Sequence, residues 1–246
     1  MRADIYLVEK GIAQSRKKAQ DMISEGIVYA DGALITKASR DLVDAVIEIR
    51  GEVMPYVSRG GLKLKGALDR FAPLVADMIC LDIGASTGGF TDCLLQEGAV
   101  RVYAVDCGHG QLDKRLSEDT RVISIEGCNA REISREIIPE EIGLCVMDVS
   151  FISQTLIHSA LTSVLGNGAY LITLIKPQFE VGRANIGKNG IVKNEKAVKA
   201  AIENVIASAE ACGFRYIDIM TSPIKGGDGN TEYIGYFRYE DSCNSK

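Results

Sequence analysis

The chain has 246 residues, 46% hydrophobic and 25% charged, with a formal net charge of −5. That composition offers enough apolar surface to exclude a wholly disordered chain and leaves room for one large domain or two smaller ones. Its 25 glycines and 5 prolines follow no fixed period, which excludes a collagen-like polymer, and no apolar run approaches the roughly 20 residues of a membrane span.

Residues 2–10 predict a short helix, with Ile5, Leu7, Val8 and then Ile12 apolar. A second helix starts at Ser15, a good N-cap, runs to about Glu25 and stops at Gly26. It opens with Arg16-Lys17-Lys18, three cations set against the helix macrodipole. A phosphate-binding face would call for them there, because free N–H groups and cations then converge on one anion. An ordinary solvated helix end is the other reading. Asp31-Gly32 between Ile27-Val28-Tyr29 and Leu34-Ile35 predicts a tight hairpin, and Val46, Ile47 and Ile49 a further strand after an Asp44-Ala45 turn. The first domain is therefore expected at residues 1–50, a small α+β unit, followed by a linker at 51–58 and a second domain at 59–246. Residues 1–70 hold 12 Lys+Arg against 10 Asp+Glu, and the rest holds 16 against 23. A basic face for nucleic acid thus belongs to the first part.

After the linker, Leu62–Phe71 reads as a helix with Leu64, Ala67, Leu68 and Phe71 on one face. Strand-like runs follow at Ile79–Ile83, Arg101–Val105, Val122–Ile125, Leu144–Asp148, Ala169–Ile175, Tyr216–Met220 and Tyr233–Tyr239. Helical runs at Phe90–Gln96, Ser153–Leu165 and Glu195–Ala211 alternate with them. Such alternation predicts an α/β fold, a doubly wound and largely parallel seven-stranded sheet whose last two strands form an antiparallel pair at one edge. The N-terminal stretch MRADIYLVEK has charges within its apolar run and no small-residue cleavage site, so no secretory signal is expected. Seven scattered cysteines and only two histidines, His109 and His158, lack zinc-ligand spacing. They read as reduced thiols of a cytoplasmic protein without a metal.

The segment ICLDIGASTGGFTDCLLQ sets a glycine loop between a buried strand and a helix. Gly84, Gly88 and Gly89 allow a sharp turn and close approach to a ligand. The next strand ends in Asp106, where a carboxylate can accept hydrogen bonds from ribose hydroxyls. The pattern suits a nucleoside cofactor. NAD asks for G-x-G-x-x-G, and here Ser86 replaces the middle glycine. S-adenosylmethionine has no pyrophosphate to accommodate at that point, and the terminal strand pair also favours a methyltransferase. A dehydrogenase is the weaker alternative.

Ligands of such sheets sit at the carboxyl ends of the strands. There the chain offers Asp148 in MDVSF and Lys176 in IKPQF, with Glu232 in NTEY opening the last strand and Lys63 in SRGGLKL. Each alone reads as a surface charge or salt-bridge partner, whereas the four together suggest a cleft. The chain has no Asn-Pro-Pro-Tyr-like motif for an exocyclic amine after strand four, and no Pro-Cys there for carbon methylation.

These motifs carry a family resemblance. SRKKAQDMISEGIVYADG, YVSRGGLKL, LDIGASTGGFTDCLL, VYAVDCGHGQL, CNAR, MDVSFIS, LIKPQFE and NTEY occur in the order found in TlyA-type RNA methyltransferases, also called the hemolysin A family. The chain resembles that family over almost its whole length. Resemblance implies an RNA-binding domain of the ribosomal-protein S4 type joined to an FtsJ-like, Rossmann-like methyltransferase domain that uses S-adenosyl-L-methionine. It implies a catalytic tetrad of Lys63, Asp148, Lys176 and Glu232. It also implies a cofactor site formed by Gly84, Ala85, Ser86, Thr87, Gly88, Gly89, Phe90 and Thr91, with Asp106, Asn129 near the adenine and Phe151 beside it. The expected acceptor is a ribose 2′-hydroxyl, of cytidine, in ribosomal RNA or ribosomal subunits. Arg2, Ser15, Arg16, Lys17, Lys18 and Arg59 are the expected RNA contacts, with no membrane partner. The linker Met54-Pro55-Tyr56-Val57 departs from the Arg-x-Trp-Val pattern of some members. Two rivals are a secreted pore-former, which the family's name suggests, and a ribosome-assembly factor without turnover.

Overall fold

A computed structural model describes the chain apart from residues 14, 25, 52–53, 183–184, 188–189, 228 and 241–246, and apart from the side chain of Lys17. The expected contact by Lys17, the expected helix end at Glu25 and the thiol of Cys243 lie outside the described residues. The chain divides into two compact units, Met1–Pro55 and Tyr56–Lys246.

In the first unit, α1 (Ala3–Glu9) and α2 (Arg16–Ser24) precede the short strands β1 (Val28–Ala30), β2 (Ala33–Leu34) and β3 (Ile47–Ile49). The strands pair antiparallel in the order β2-β1-β3. Asp31 and Gly32 both take positive φ, 50° and 78°, as a two-residue hairpin loop of matching twist requires. Ser15 caps α2 by accepting from the Lys18 N–H at 3.2 Å. Leu7, Met22, Val28 and Ile35 fill a small core.

The second unit is built on a seven-stranded sheet. Its strands are β4 (Ile79–Ile83), β5 (Arg101–Val105), β6 (Val122–Ile125), β7 (Ile142–Met147), β8 (Leu165–Ile175), β9 (Phe214–Thr221) and β10 (Tyr233–Tyr239). They lie in the order β6-β5-β4-β7-β8-β10-β9. β4 to β8 pair in parallel, and β10 runs antiparallel to both neighbours. The expected terminal pair is present, with the last strand inserted between β8 and β9 rather than lying outermost. Because side chains alternate along a strand, Leu144, Val146, Ile172 and Leu174 enter one core layer. Cys145, Met147 and Leu171 enter the other. Both faces are covered, as a parallel sheet requires. Helices α3 (Gly60–Phe71) and α4 (Gly89–Gln96) pack on the first face. The helix α8 (Glu195–Ala211) covers the second, burying Ala201, Val205 and Ala209 of its predicted stripe. The shorter helices are α5 (Lys114–Ser117), α6 (His158–Leu161) and α7 (Pro177–Glu180).

The segment from 153 into β8 differs from expectation. The predicted helix over 153–165 is a 3-10 turn at Gln154–Leu156 followed by the single turn of α6, and β8 begins four residues earlier than expected. The cause is local: Gln154 is buried and bonds the Leu174 carbonyl and the Thr173 hydroxyl, while Ser153 donates to Glu180, so this end is tied to the sheet and cannot wind regularly. The division of the chain also falls within the expected 51–58 linker. Tyr56 is buried in the second unit's core, and the Val57 N–H donates to Asp92 Oδ2 at 2.8 Å.

Candidate active site

The site lies at the carboxyl ends of β4, β5, β7 and β8. The β4–α4 loop turns at Gly84 (φ 80°), which lies so close to the Asp148 carbonyl that a Cβ would collide with it. The N–H groups of Gly84 and Ala85 both donate to Val105 O, at 2.9 and 3.1 Å. Ser86 also takes positive φ, 49°, and its N–H donates to Asp106 Oδ2 at 2.8 Å. Gly108 N–H donates to Asp106 Oδ1 at 2.7 Å. Asp106 therefore fastens the loop and keeps lone pairs for further donors, since a carboxylate has about four acceptor positions.

Gly88 and Thr91 serve the loop differently from the expected cofactor contact. A Cβ on Gly88 would meet Leu112 and Leu116, so its freedom is needed for packing. Thr91 is wholly buried and donates to Asp82 Oδ2 at 2.6 Å, pinning α4 to β4. Burial pushes the Asp82 carboxyl up to about 7, and among the described residues its Oδ1 has no hydrogen-bond partner. Neither Gly88 nor Thr91 lines the cavities described next.

Two cavities meet at Gly84, Ser86 and Asp148. One, of about 250 Å³, is lined by Arg59, Lys63, Ala85, Thr87, Gly89 and Phe90 among others. The other, of about 580 Å³, has Asp106, Asn129 and Arg131 on its polar side and Ile83, Val105, Val149 and Ile157 on its apolar side. The Asn129 side chain accepts from Arg131 N–H at 3.1 Å. Phe151 stands at the rim, 92% exposed at φ 64°, with its ring 5.1 Å from that of Phe179. A wide, partly apolar compartment beside a carboxylate, continuing into a narrower one with acidic and basic groups, fits an elongated nucleoside bearing a charged tail.

The four expected catalytic residues form two ion pairs, in each of which one member, Lys63 or Asp148, lines the smaller cavity and the other, Glu232 or Lys176, stands behind it outside the lining. Lys63, though off the apolar stripe of α3, is buried and its Nζ donates to Glu232 Oε2 at 2.7 Å. Glu232 is 3% exposed, and Gly226 packs against its carboxylate where a Cβ could not fit. Lys176, just beyond β8, sets its Nζ 2.6 Å from Asp148 Oδ1 and donates to Ser150 Oγ at 2.8 Å. The contact with Asp148 is an ion pair without hydrogen-bond alignment, which leaves Oδ1 short of an aligned donor. Lys63 and Asp148 both line the smaller cavity. Residues as far apart as 63 and 232 are thus paired beside one cavity.

The expected RNA contacts divide. Arg59 is exposed at the mouth of the smaller cavity. In the first unit, Arg2 and Arg16 bind Asp4 through charged hydrogen bonds, and Lys18 Nζ donates to Met54 O at 2.9 Å. Arg16 at the start of α2 therefore has a folded-state partner supplied by α1. Sequence reasoning missed Ser58, Ser150 and Lys225, which line or bond into the site. Ser150 sits two residues after Asp148 and Lys225 just before Gly226-Gly227, so the signal was proximity to a predicted site residue or to glycines before NTEY.

Comparison with known proteins places these features. Residues 56–239 match the FtsJ-like methyltransferase family and residues 1–43 the S4 domain. Hemolysin A of Brachyspira hyodysenteriae is 45% identical over 239 residues, covering 96% of this chain and 99% of that protein. The 16S/23S rRNA (cytidine-2'-O)-methyltransferase TlyA of Mycobacterium tuberculosis is 39% identical over 239 residues, covering 96% and 89%. A solved hemolysin structure from Streptococcus thermophilus is 41% identical at a TM-score of 0.78, covering 98% of this chain and 89% of that one. Among the described residues no helix is long and apolar enough to cross a membrane.

Proposed function

The chain belongs to the FtsJ-like methyltransferase family, and from that membership we propose that it methylates a ribose 2′-hydroxyl of ribosomal RNA, on cytidine, with S-adenosylmethionine as donor. The observation that carries the reading is the pair of lysine–carboxylate contacts, Lys63–Glu232 and Lys176–Asp148, each of which sets one member, Lys63 or Asp148, on the wall of a cavity that the glycine loop also lines. The relatives' names support the acceptor: the Mycobacterium tuberculosis protein is named as a cytidine-2'-O-methyltransferase of 16S and 23S rRNA. The S4 match supports an RNA partner for the first unit.

The bound cofactor supplies an activated methyl on a sulfonium. The protein's own work is alignment and the handling of one proton. Asp106 would offer its remaining lone pairs to ribose hydroxyls of the cofactor. Ile83, Val105 and Ile157, with Asn129 on the polar side of the same cavity, would hold the base away from water. Gly84, Ala85, Ser86, Thr87 and Gly89 would line the place of the charged tail. Lys176, held by Asp148 and Ser150, meets the acceptor oxygen. As an amine it takes the hydroxyl proton, and as an ammonium it orients the hydroxyl and stabilises growing negative charge while the proton passes to water. Rate against pH separates these modes: the first rises with pH and the second falls. Lys63 and Glu232 set the charge on the opposite wall.

The test joins calorimetry to product analysis. Purified protein should bind S-adenosylmethionine and, given ribosomal RNA and methyl-labelled donor, place the label in 2′-O-methylcytidine after digestion to nucleosides. Label on a base, or none in RNA despite bound cofactor, defeats the proposal.

A further inference from the structure

Asp4 is the most heavily bonded carboxylate described in the first unit. It is 0% exposed although it stands in the first turn of a short helix. Oδ1 accepts from Arg2 Nε at 3.0 Å and Ile5 N–H at 3.1 Å. Oδ2 accepts from Arg2 Nη2 at 3.1 Å, Arg16 Nη2 at 3.1 Å and Gln20 Nε2 at 2.9 Å. These donors seal the carboxylate in a thin shell just under the surface, and they hold its pKa well below the usual carboxylate range.

The arrangement is more than a small fold requires. Asp4 faces two arginines, with the exposed Asp41 the further carboxylate acting on Arg2, and both guanidiniums still reach water, with side-chain exposures of 45% and 58%. Among the described residues no further partner is assigned to Arg2 Nη1 or to the remaining N–H groups of Arg16. The backbone around Arg2 is itself fastened, since Ala3 N–H donates to Arg40 O and Asp4 N–H to Ala38 O. A long side chain normally loses conformational freedom when it captures a ligand. Here that freedom is already spent within the fold, and planar guanidiniums present N–H groups in the geometry that phosphate oxygens accept.

We infer that Asp4 is a positioning residue for RNA: it holds Arg2 and Arg16 as a preformed pair that receives backbone phosphate. The inference rests on the reading of this chain as an RNA methyltransferase and adds to it a residue that itself touches no RNA.

The sign of the effect tests it. Asp4→Asn removes one negative charge beside two arginines. If charge alone governed binding, the variant would hold RNA more tightly. If Asp4 positions the pair, it holds RNA more weakly, by about tenfold for the loss of one charge-assisted contact, with the salt slope of log K reduced by about one. The full chain is titrated with ribosomal RNA over a range of salt, alongside cofactor calorimetry and thermal unfolding. The expected result is weaker RNA binding, a raised KM for RNA with kcat little changed, and unaltered cofactor affinity. Should Asp4→Asn unfold the first unit, Gln20→Met decides. It removes one neutral donor from Oδ2 without changing charge, and positioning predicts a smaller loss in the same direction, with Arg2→Ala and Arg16→Ala each weakening binding. Equal or tighter RNA binding by a folded Asp4→Asn or Gln20→Met variant overturns the inference. If the unaltered chain binds no RNA, the proposed function fails first and this inference with it, an outcome distinguishable because it precedes any substitution.

Discussion

Asp4 in the first unit and Glu232 in the second are both carboxylates closed off from water, yet their surroundings differ in kind. Asp4 accepts five hydrogen bonds, from two arginines, a glutamine and a backbone N–H. Among the described residues Glu232 has a single side-chain donor, Lys63, and borders a cavity through it. Asp148 is similar: Lys176 lies 2.6 Å away without alignment. A saturated carboxylate holds its neighbours still. One with capacity to spare, at the edge of a cavity, can rearrange its bonds when a ligand arrives. The contrast separates scaffold from chemistry more clearly than burial does, since all of these carboxylates are largely hidden.

The largest expected effect that would break this contrast is at Lys176. Lys176→Ala should lower methyl transfer by about 10²- to 10⁴-fold, the range of acid–base contributions, while calorimetry still detects bound cofactor. Near-normal turnover would assign the chemistry elsewhere. Next comes Lys63→Met, which leaves Glu232 buried without its cation. Breaking a buried pair from one side costs about 3–5 kcal/mol, seen as a fall in thermal stability. Adding Glu232→Gln should recover much of that stability but not activity. Full activity in the double variant would make the pair a fold element only.

A third prediction concerns pH. Burial pushes His158 down to about 4, with Nε2 unpartnered among the described residues and Nδ1 3.1 Å from Ser208 Oγ. The unfolded chain, with histidine near its ordinary 6.5, binds the proton first as pH falls. Stability held above pH 6.5 is therefore lost between about 6.5 and 4, to the extent of about 3 kcal/mol. Denaturant titrations of the wild type and His158→Leu should diverge in slope across that window, and parallel curves would contradict a neutral buried imidazole. The smallest effect belongs to the first unit: Ser15→Ala removes the cap of α2 and should cost about 1 kcal/mol, read by thermal unfolding. No change there would mean the Lys18 N–H finds water as readily.

Much of this was legible in the sequence because local rules and tertiary demands agree. β4, β5, β6 and β10 match the predicted strands, and Ser15 and Asp31-Gly32 behave as cap and turn. Less legible were contacts made across the chain. Nothing local indicates that Arg16 answers Asp4 twelve residues earlier, so the sequence shows its cation at a helix start but not the carboxylate that holds it. Nothing local places Lys63 on Glu232, 169 residues away, or assigns Thr91 to Asp82 within a loop that resembles a ligand cradle throughout. The 153–165 segment has the spacing of a helix, but its buried glutamine found partners on the sheet.

The most direct measurement is single-nucleotide mapping of methyl groups after incubating unmodified ribosomal subunits with the purified chain and S-adenosylmethionine. The account predicts a ribose newly resistant to alkaline cleavage at a cytidine, dependent on Lys176. Subunits that emerge unmodified although the protein has bound both cofactor and RNA would contradict it.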